Sequence, residues 1–295
     1  MANILVATTV FLALIFVNLQ IKSLTNITRN NNESLLPIRE IFQINYLIRF
    51  KKLKFLPKIF IITPTYNRIT QLADLSRFGN TLKLVPKILW IVVEDAGFKS
   101  ERIGNFLNSS AIQHVHLNIK SPWDIINPPS IYKGVIQRNL ALDWIRENNQ
   151  SGIVYFADDD NSYDIEIFEE IRSTKLISAF PVGLVGGLYY EKPKCLNNKI
   201  VGWFAYFLPK RKFPFDMASF AVSTDLLHKY PEAKFTTNKS YELEGSLLID
   251  LKVKANEIEP KANCCRKLLV WHSKTLAPKR KYKNQVFEQI ILDNL

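Results

Sequence analysis

Four short apolar runs, at residues 58–63, 88–93, 114–119 and 153–157, constrain this chain more than any other feature. Pro64 closes the first, and Glu94 with Asp95 closes the second. Segments apolar at successive positions have no polar face to offer to water, so they read as strands covered on both sides, the condition of a parallel sheet. The stretches between them suit the covering helices. Residues 70–84 mix polar and apolar groups as a crossover helix does, and residues 134–147 place Ile136, Leu140 and Trp144 at i, i+4 spacing. Asn161 and Asp164 are cap-forming residues that open a further helix to about residue 175. Strand and helix in alternation predict an α/β fold with right-handed crossovers. The remainder is mixed, with strand candidates at 183–188, 201–207 and 268–272, a helix candidate at 244–252 and no internal repeat.

The 295 residues are 47% hydrophobic and 22% charged, which excludes a disordered or low-complexity chain. A net charge of +12 invites a polyanionic partner, but its distribution is uneven: +6 over residues 1–58, −3 over 59–191 and +9 over 192–295. Chemistry is therefore sought in the acidic middle. Cys195, Cys264 and Cys265 allow at most one intramolecular disulfide, with Cys195 able to pair with either of the others, and they lack zinc-ligand spacing. Residues 1–21 carry no charged side chain and include an apolar run from Ile4 to Val17, an ER-directing segment that reads either as a cleaved signal peptide or as an anchor. Residues 22–57 are a polar, Asn-rich stem with a basic approach to the folded part. Five N-x-S/T sequons, at Asn26, Asn32, Asn108, Asn149 and Asn238, agree with a secretory route.

The sharpest chemical signal is the triplet Asp158, Asp159 and Asp160 at the end of the fourth run. Ligands of open α/β sheets bind beyond the carboxyl ends of the strands. Three adjacent carboxylates repel one another, and a hard divalent cation such as Mg²⁺ or Mn²⁺ relieves that cost while keeping positions open for a diphosphate. The same residue types also form solvated turns that cap a following helix, and spacing alone leaves both readings open. Two other strand ends point to the same edge. Pro64, Thr65 and Tyr66 follow the first run and Asp95 ends the second, which puts an aromatic ring and a carboxylate where a nucleotide base would stack and donate an N–H.

These residues lie in blocks that resemble the animal β-1,3-glucuronosyltransferases, Golgi enzymes with a GT-A-type nucleotide-sugar-binding fold. The blocks are ITPTYNR (62–68), TLKLVPKILWIVVEDA (81–96), KGVIQRNLALDWIRE (133–147), VYFADDDNSY (154–163), VGGLYYEKP (185–193), FPFDMASFAV (213–222), LEGSLL (243–248) and LLVWHSKT (268–275), in the family's order. The resemblance implies a Rossmann-like, mostly parallel sheet with a mixed acceptor-binding part, a UDP-sugar half over 58–190 and an acceptor and catalytic-base half over 191–295 within one continuous domain. It further implies that Pro64, Thr65, Tyr66 and Asp95 contact uridine, that Asp158 and Asp159 hold the ribose and donor sugar, and that Asp160 ligates Mn²⁺. Arg138, His272, Ser273 and Lys274 fall on donor-contacting positions, as does Lys133. Arg138 is read as lying off the apolar stripe of its helix. Glu191, Arg211 and Asp216 fall on acceptor-contacting positions, and Glu244 on the catalytic base, the carboxylate that an inverting transfer needs to take a proton from the attacking hydroxyl.

Three positions depart from the family's pattern: Lys133 and Lys274 replace arginines and Phe207 replaces a tryptophan. Lysine keeps the charge but loses the bidentate fork that grips a carboxylate or phosphate. The resulting expectation is an inverting, Mn²⁺-dependent transfer of glucuronate from UDP-glucuronate to the 3-hydroxyl of a terminal galactose on a glycan. The setting is a homodimer held in the Golgi membrane by the N-terminal segment, type II with its catalytic part in the lumen. The competing expectations are the same fold with another donor such as UDP-xylose or UDP-glucose, and an inactive glycan-binding relative. Nucleic-acid binding is disfavoured, because the nucleotide half is acidic.

Overall fold

The computed structural model describes residues 56–122, 134–206, 211–236 and 243–276. The predicted anchor, the stem up to residue 55, Lys133, Phe207 and the sequons at Asn26, Asn32 and Asn238 lie outside these residues. Among the described residues, no helix is long and apolar enough to cross a membrane.

The apolar runs form β1 (Ile59–Thr65), β2 (Ile88–Glu94), β3 (His114–Asn118) and β4 (Ile153–Phe156), and β1, β2 and β4 are almost wholly buried. They pair in parallel in the order β4-β1-β2-β3. Alternate side chains serve two cores. Phe60, Ile62, Ile91, Val93, Val154 and Phe156 meet α3 (Val135–Glu147) on one face. Ile59, Ile61, Trp90, Val92, Ile153 and Tyr155 meet α1 (Gln71–Leu82), α2 (Glu101–Ser109) and α4 (Glu166–Arg172) on the other. Two covered faces explain why these strands are apolar throughout. Trp90 is fully buried and its indole N–H donates to the Thr63 hydroxyl at 2.9 Å, so its one polar atom is satisfied.

The sheet is completed by β10 (Phe220–Ser223), antiparallel to both β4 and β6 (Ile177–Ala179), and by β11 (Glu259–Pro260) beside β6. A second sheet of five strands has the order β5-β12-β7-β8-β9, comprising β5 (Ser162–Tyr163), β7 (Val182–Gly183), β8 (Tyr190–Leu196), β9 (Lys199–Phe204) and β12 (Val270–Trp271). The architecture is thus a mixed α/β fold with a parallel-rich sheet.

Several local expectations are corrected. Strand β1 continues through Pro64 to Thr65, because a proline near a strand end forfeits a single ladder bond. The helix expected from residue 161 starts at Glu166; Ser162 and Tyr163 instead pair with β12, drawn in by the packing of the Tyr163 ring on Phe78. The candidate at 183–188 keeps one strand residue and then turns, with Leu184, Gly186 and Gly187 all at positive φ. In α3 the buried stripe is Val135, Arg138, Ala141, Leu142 and Ile145, while Leu140 and Trp144 flank it half-buried.

Candidate active site

Strand order turns back between β1 and β4: β2 and β3 follow on one side of β1, and the chain then returns to add β4 on the other. Such a switch point opens a crevice beyond the carboxyl ends of the two strands. The residues after β1 and β4 meet there. The Thr65 hydroxyl donates to Asp159 at 2.6 Å and accepts from the Gln71 amide at 3.1 Å. The Arg68 guanidinium bridges Asp159 at 2.7 Å and Asp74 at 2.9 Å, and lies 4.8 Å from the centre of the Tyr66 ring. Burial works against the charge of Arg68, but the two carboxylates outweigh it and hold its pKa above the usual value. Tyr66 is half exposed, leaving ring surface for a stacked base. Asp95 accepts from Ser121 through both its backbone N–H (2.7 Å) and its hydroxyl (2.6 Å). The Pro64 ring abuts Gly134 at the start of α3, where a Cβ would lie 3.1 Å from Pro64 Cγ.

Arg138 is on the buried face of α3, not off it as the periodicity suggests. It is 5% exposed and pairs with Asp158 at 2.5 Å, and this partner is what permits a charge on the apolar side of the helix. Asp160 differs from its neighbours. Its main-chain carbonyl accepts from Arg77 at 2.7 Å and from the Ser273 hydroxyl at 2.8 Å, but among the described residues its carboxylate has no hydrogen bond or ion pair. Burial, then the charges of Asp158 and Asp159, push its pKa up to about 6. A carboxylate raised by burial and like-charged neighbours, and with no direct ion-pair partner among the described residues, fits a divalent cation. Among the described residues no three His, Cys, Asp or Glu side chains converge on a point, so these residues offer no complete cage. That donor set suits an ion of the Mg²⁺ or Mn²⁺ type, which takes one or two carboxylates and fills the rest of its shell with water and substrate phosphate.

On the other side of the crevice lie the residues expected to meet an acceptor. Glu244, in the first turn of α5 (Leu243–Asp250), is 14% exposed and stands 3.5 Å from Arg211. Burial pushes its pKa up to about 7, against the opposing pull of Arg211. Glu191 on β8 is 5% exposed, accepts from the Tyr206 N–H at 3.0 Å and is raised by burial. Asp216 caps a short 3₁₀ turn by accepting from the Ala218 N–H at 2.9 Å, and its other oxygen is 3.3 Å from His272 Nδ1. The hydrogen bond to Asp216 raises the His272 pKa to about 9 despite burial, so the ring is cationic at neutral pH. Lys274, two residues on, is exposed. Glu244 feels the charges of Arg211, Asp216 and Arg138, which joins the two sides of the crevice electrostatically.

Arg68, Asp74, Arg77 and Ser121 are absent from the sequence-derived site, although Arg68, Arg77 and Ser121 each contact a member of it and Asp74 holds both arginines. Asp74 carried a signal: it sits among Gln71, Leu75 and Phe78 on the buried stripe of α1, where a charge demands a partner. The three cysteines resolve into a Cys195–Cys264 disulfide, with Cys265 buried and free.

Residues 78–276 match glycosyltransferase family 43. Galactosylgalactosylxylosylprotein 3-beta-glucuronosyltransferase 1 of Homo sapiens is 44% identical over 236 residues, spanning 76% of this chain and 70% of that protein. The human galactosylgalactosylxylosylprotein 3-beta-glucuronosyltransferase 3 is 40% identical over 259 residues, spanning 79% and 75%. Among solved structures, S. aureus TarS 1-349 in complex with UDP-GlcNAc is similar with a TM-score of 0.47 and 14% identity, over 75% of this chain and 60% of that one.

Proposed function

We propose, from the premise that this chain belongs to glycosyltransferase family 43 and is a glycosyltransferase, that it moves glucuronate from UDP-glucuronate to the 3-hydroxyl of a terminal galactose, with inversion at the anomeric carbon. The observation that carries this reading is Glu244, a carboxyl with a pKa of about 7 held 3.5 Å from Arg211 across the crevice from the acidic triplet. A base poised near neutrality takes the acceptor proton efficiently as the hydroxyl attacks. One carboxylate facing the acceptor is what an inverting displacement needs, and no covalent sugar–enzyme intermediate is involved.

Tyr66 and Asp95 receive the uracil, Asp158 and Asp159 the ribose and donor sugar, and Arg138, His272 and Lys274 supply positive charge to the diphosphate and the glucuronate carboxylate. Glu191, Arg211 and Asp216 orient the galactose. Asp160 holds Mn²⁺, which when bound supplies positive charge against the departing UDP. The enzyme works in the Golgi lumen as a homodimer anchored by its N-terminal segment. The Cys195–Cys264 disulfide supports an oxidising compartment, since such bonds are rare in reducing ones.

The test is a donor screen with purified enzyme, Mn²⁺ and a galactose-terminated oligosaccharide, reading acceptor-dependent UDP release. UDP-glucuronate is expected to be the preferred donor. A signal from UDP-xylose or UDP-glucose with none from UDP-glucuronate would overturn the assignment and point to the exposed Lys274 as the seat of the altered preference. Replacing Glu244 with alanine is expected to abolish transfer while UDP binding persists, whereas transfer at the parent rate would remove Glu244 from the mechanism.

A further inference from the structure

We propose that Asp74 is a positioning residue that works through Arg68 and Arg77 to hold the acidic loop and the segment after β12 in one arrangement for the donor. The inference rests on the UDP-sugar reading of the crevice.

Asp74 lies in the first turn of α1, where carboxylates usually face solvent and stabilise the helix start. This one is 0% exposed and accepts from no backbone N–H of the helix. Each of its oxygens is committed elsewhere. Oδ2 meets Arg68 at 2.9 Å, and Oδ1 meets Arg77 at 3.2 Å and accepts from the Thr275 hydroxyl at 2.5 Å. The two arginines then reach into the acidic triplet at different points. Arg68 grips the Asp159 carboxylate at 2.7 Å, and Arg77 donates to the Asp160 carbonyl at 2.7 Å and to the Thr275 hydroxyl at 3.0 Å. Ser273, two residues before Thr275, donates to that same Asp160 carbonyl at 2.8 Å.

Asp74 therefore bonds directly to the segment after β1, through Arg68, and to the strand exit that carries His272 and Lys274, through Thr275, and it is linked to the loop after β4 by way of Arg68 and Arg77. The two arginines and the two carboxylates, Asp74 and Asp159, balance in charge. The arrangement leaves Asp160 as the member of the triplet with no such counterion. An amide at position 74 cannot reproduce this. It offers one acceptor and one donor, so one end must present an N–H to a guanidinium that itself only donates. The expected consequence is a loosened acidic loop and donor segment with α1 intact.

Calorimetric titration of UDP in the presence of Mn²⁺, transfer kinetics and the ligand-free melting temperature, measured on the parent enzyme and on Asp74→Asn, test this. UDP affinity is expected to fall by about 10- to 100-fold, the range typical of residues that orient a metal or ligand site from behind. The turnover number should fall with it while the acceptor KM stays constant, and Asp74→Glu should recover most of both. Arg77→Gln, at a half-exposed position that tolerates change, should show part of the same loss and decides the matter if Asp74→Asn does not fold. Unchanged UDP affinity and turnover in folded variants would overturn the proposal. So would a lowered melting temperature accompanied by equal losses for donor and acceptor, which marks a general structural role. A parent enzyme that binds no UDP would overturn the UDP-sugar reading itself, and this inference with it.

Discussion

Glu244 and Arg138 show what a single side chain's surroundings decide. A base must be ionised to accept a proton, and with its pKa at about 7 Glu244 loses that capacity on acidification. The kcat/KM for transfer should therefore rise with pH, bend near 7 and level off above it, a profile read directly from initial rates. Arg138 is buried against Asp158, so Asp158→Ala would remove the carboxylate facing a buried charge and should lower stability, by at most about 3–5 kcal/mol in a denaturant titration. Asp158→Asn, which keeps an acceptor, should cost less. The acidic triplet was legible in the sequence because three adjacent carboxylates at a strand end announce themselves whatever surrounds them. The burial of Arg138 and the part played by Asp74 were not, because a charge on a buried helical stripe is intelligible only once the partner that neutralises it is known, and Asp158 and Arg68 lie outside those helices.

At the level of elements, β1, β2, β4 and the extent of α3 were readable from hydrophobic pattern, since full burial on two faces leaves a strand little freedom in residue choice, whereas the buried stripe of α3 was not. The short insertions were not. Strand β10 has four residues, and its pairing with β4 and β6 depends on contacts across distant parts of the chain that no local pattern encodes. Helix α2 was missed too. Its cap Ser100 is held by Glu94, which the sequence presents only as the polar end of β2. Two local devices yield predictions. Gly134 starts α3 at φ 78°, and a Cβ there would lie 2.5 Å from an Arg138 nitrogen. Gly134→Ala should thus lower activity as well as stability by moving Arg138, measurable as weaker UDP binding. The Cys195–Cys264 bond fastens β8, which bears Glu191, to a turn whose residues Ala262–Cys265 are all at positive φ. Its partners are 69 residues apart, so Cys195→Ser should lower stability by up to about 4 kcal/mol, seen as a lower melting temperature that reductant reproduces in the parent protein.

For the whole molecule, the two sides of the crevice are coupled through charge. The folded pKa of His272, about 9, exceeds its ordinary value, so the pair with Asp216 contributes fully below about pH 6.5 and fades as pH rises through 9. His272 is 43% exposed, so solvent screening limits this contribution to about 1 kcal/mol or less. Thermal unfolding at pH 6.5 and 9 should show the decline in the parent and not in Asp216→Asn. The sheet has a consequence of another kind. Strand β10, from the later part of the chain, lies between β4 and β6, which come before residue 190. A chain ending at residue 190 would leave the hydrogen-bonding groups along one side of β4 bare, beside an apolar surface, and a naked edge of that sort recruits other chains. The residues proposed to bind the nucleotide therefore do not amount to a portable module: expressed without the residues that follow, they should aggregate, and the proposed acceptor side can vary by substitution far more readily than by exchange of the segment.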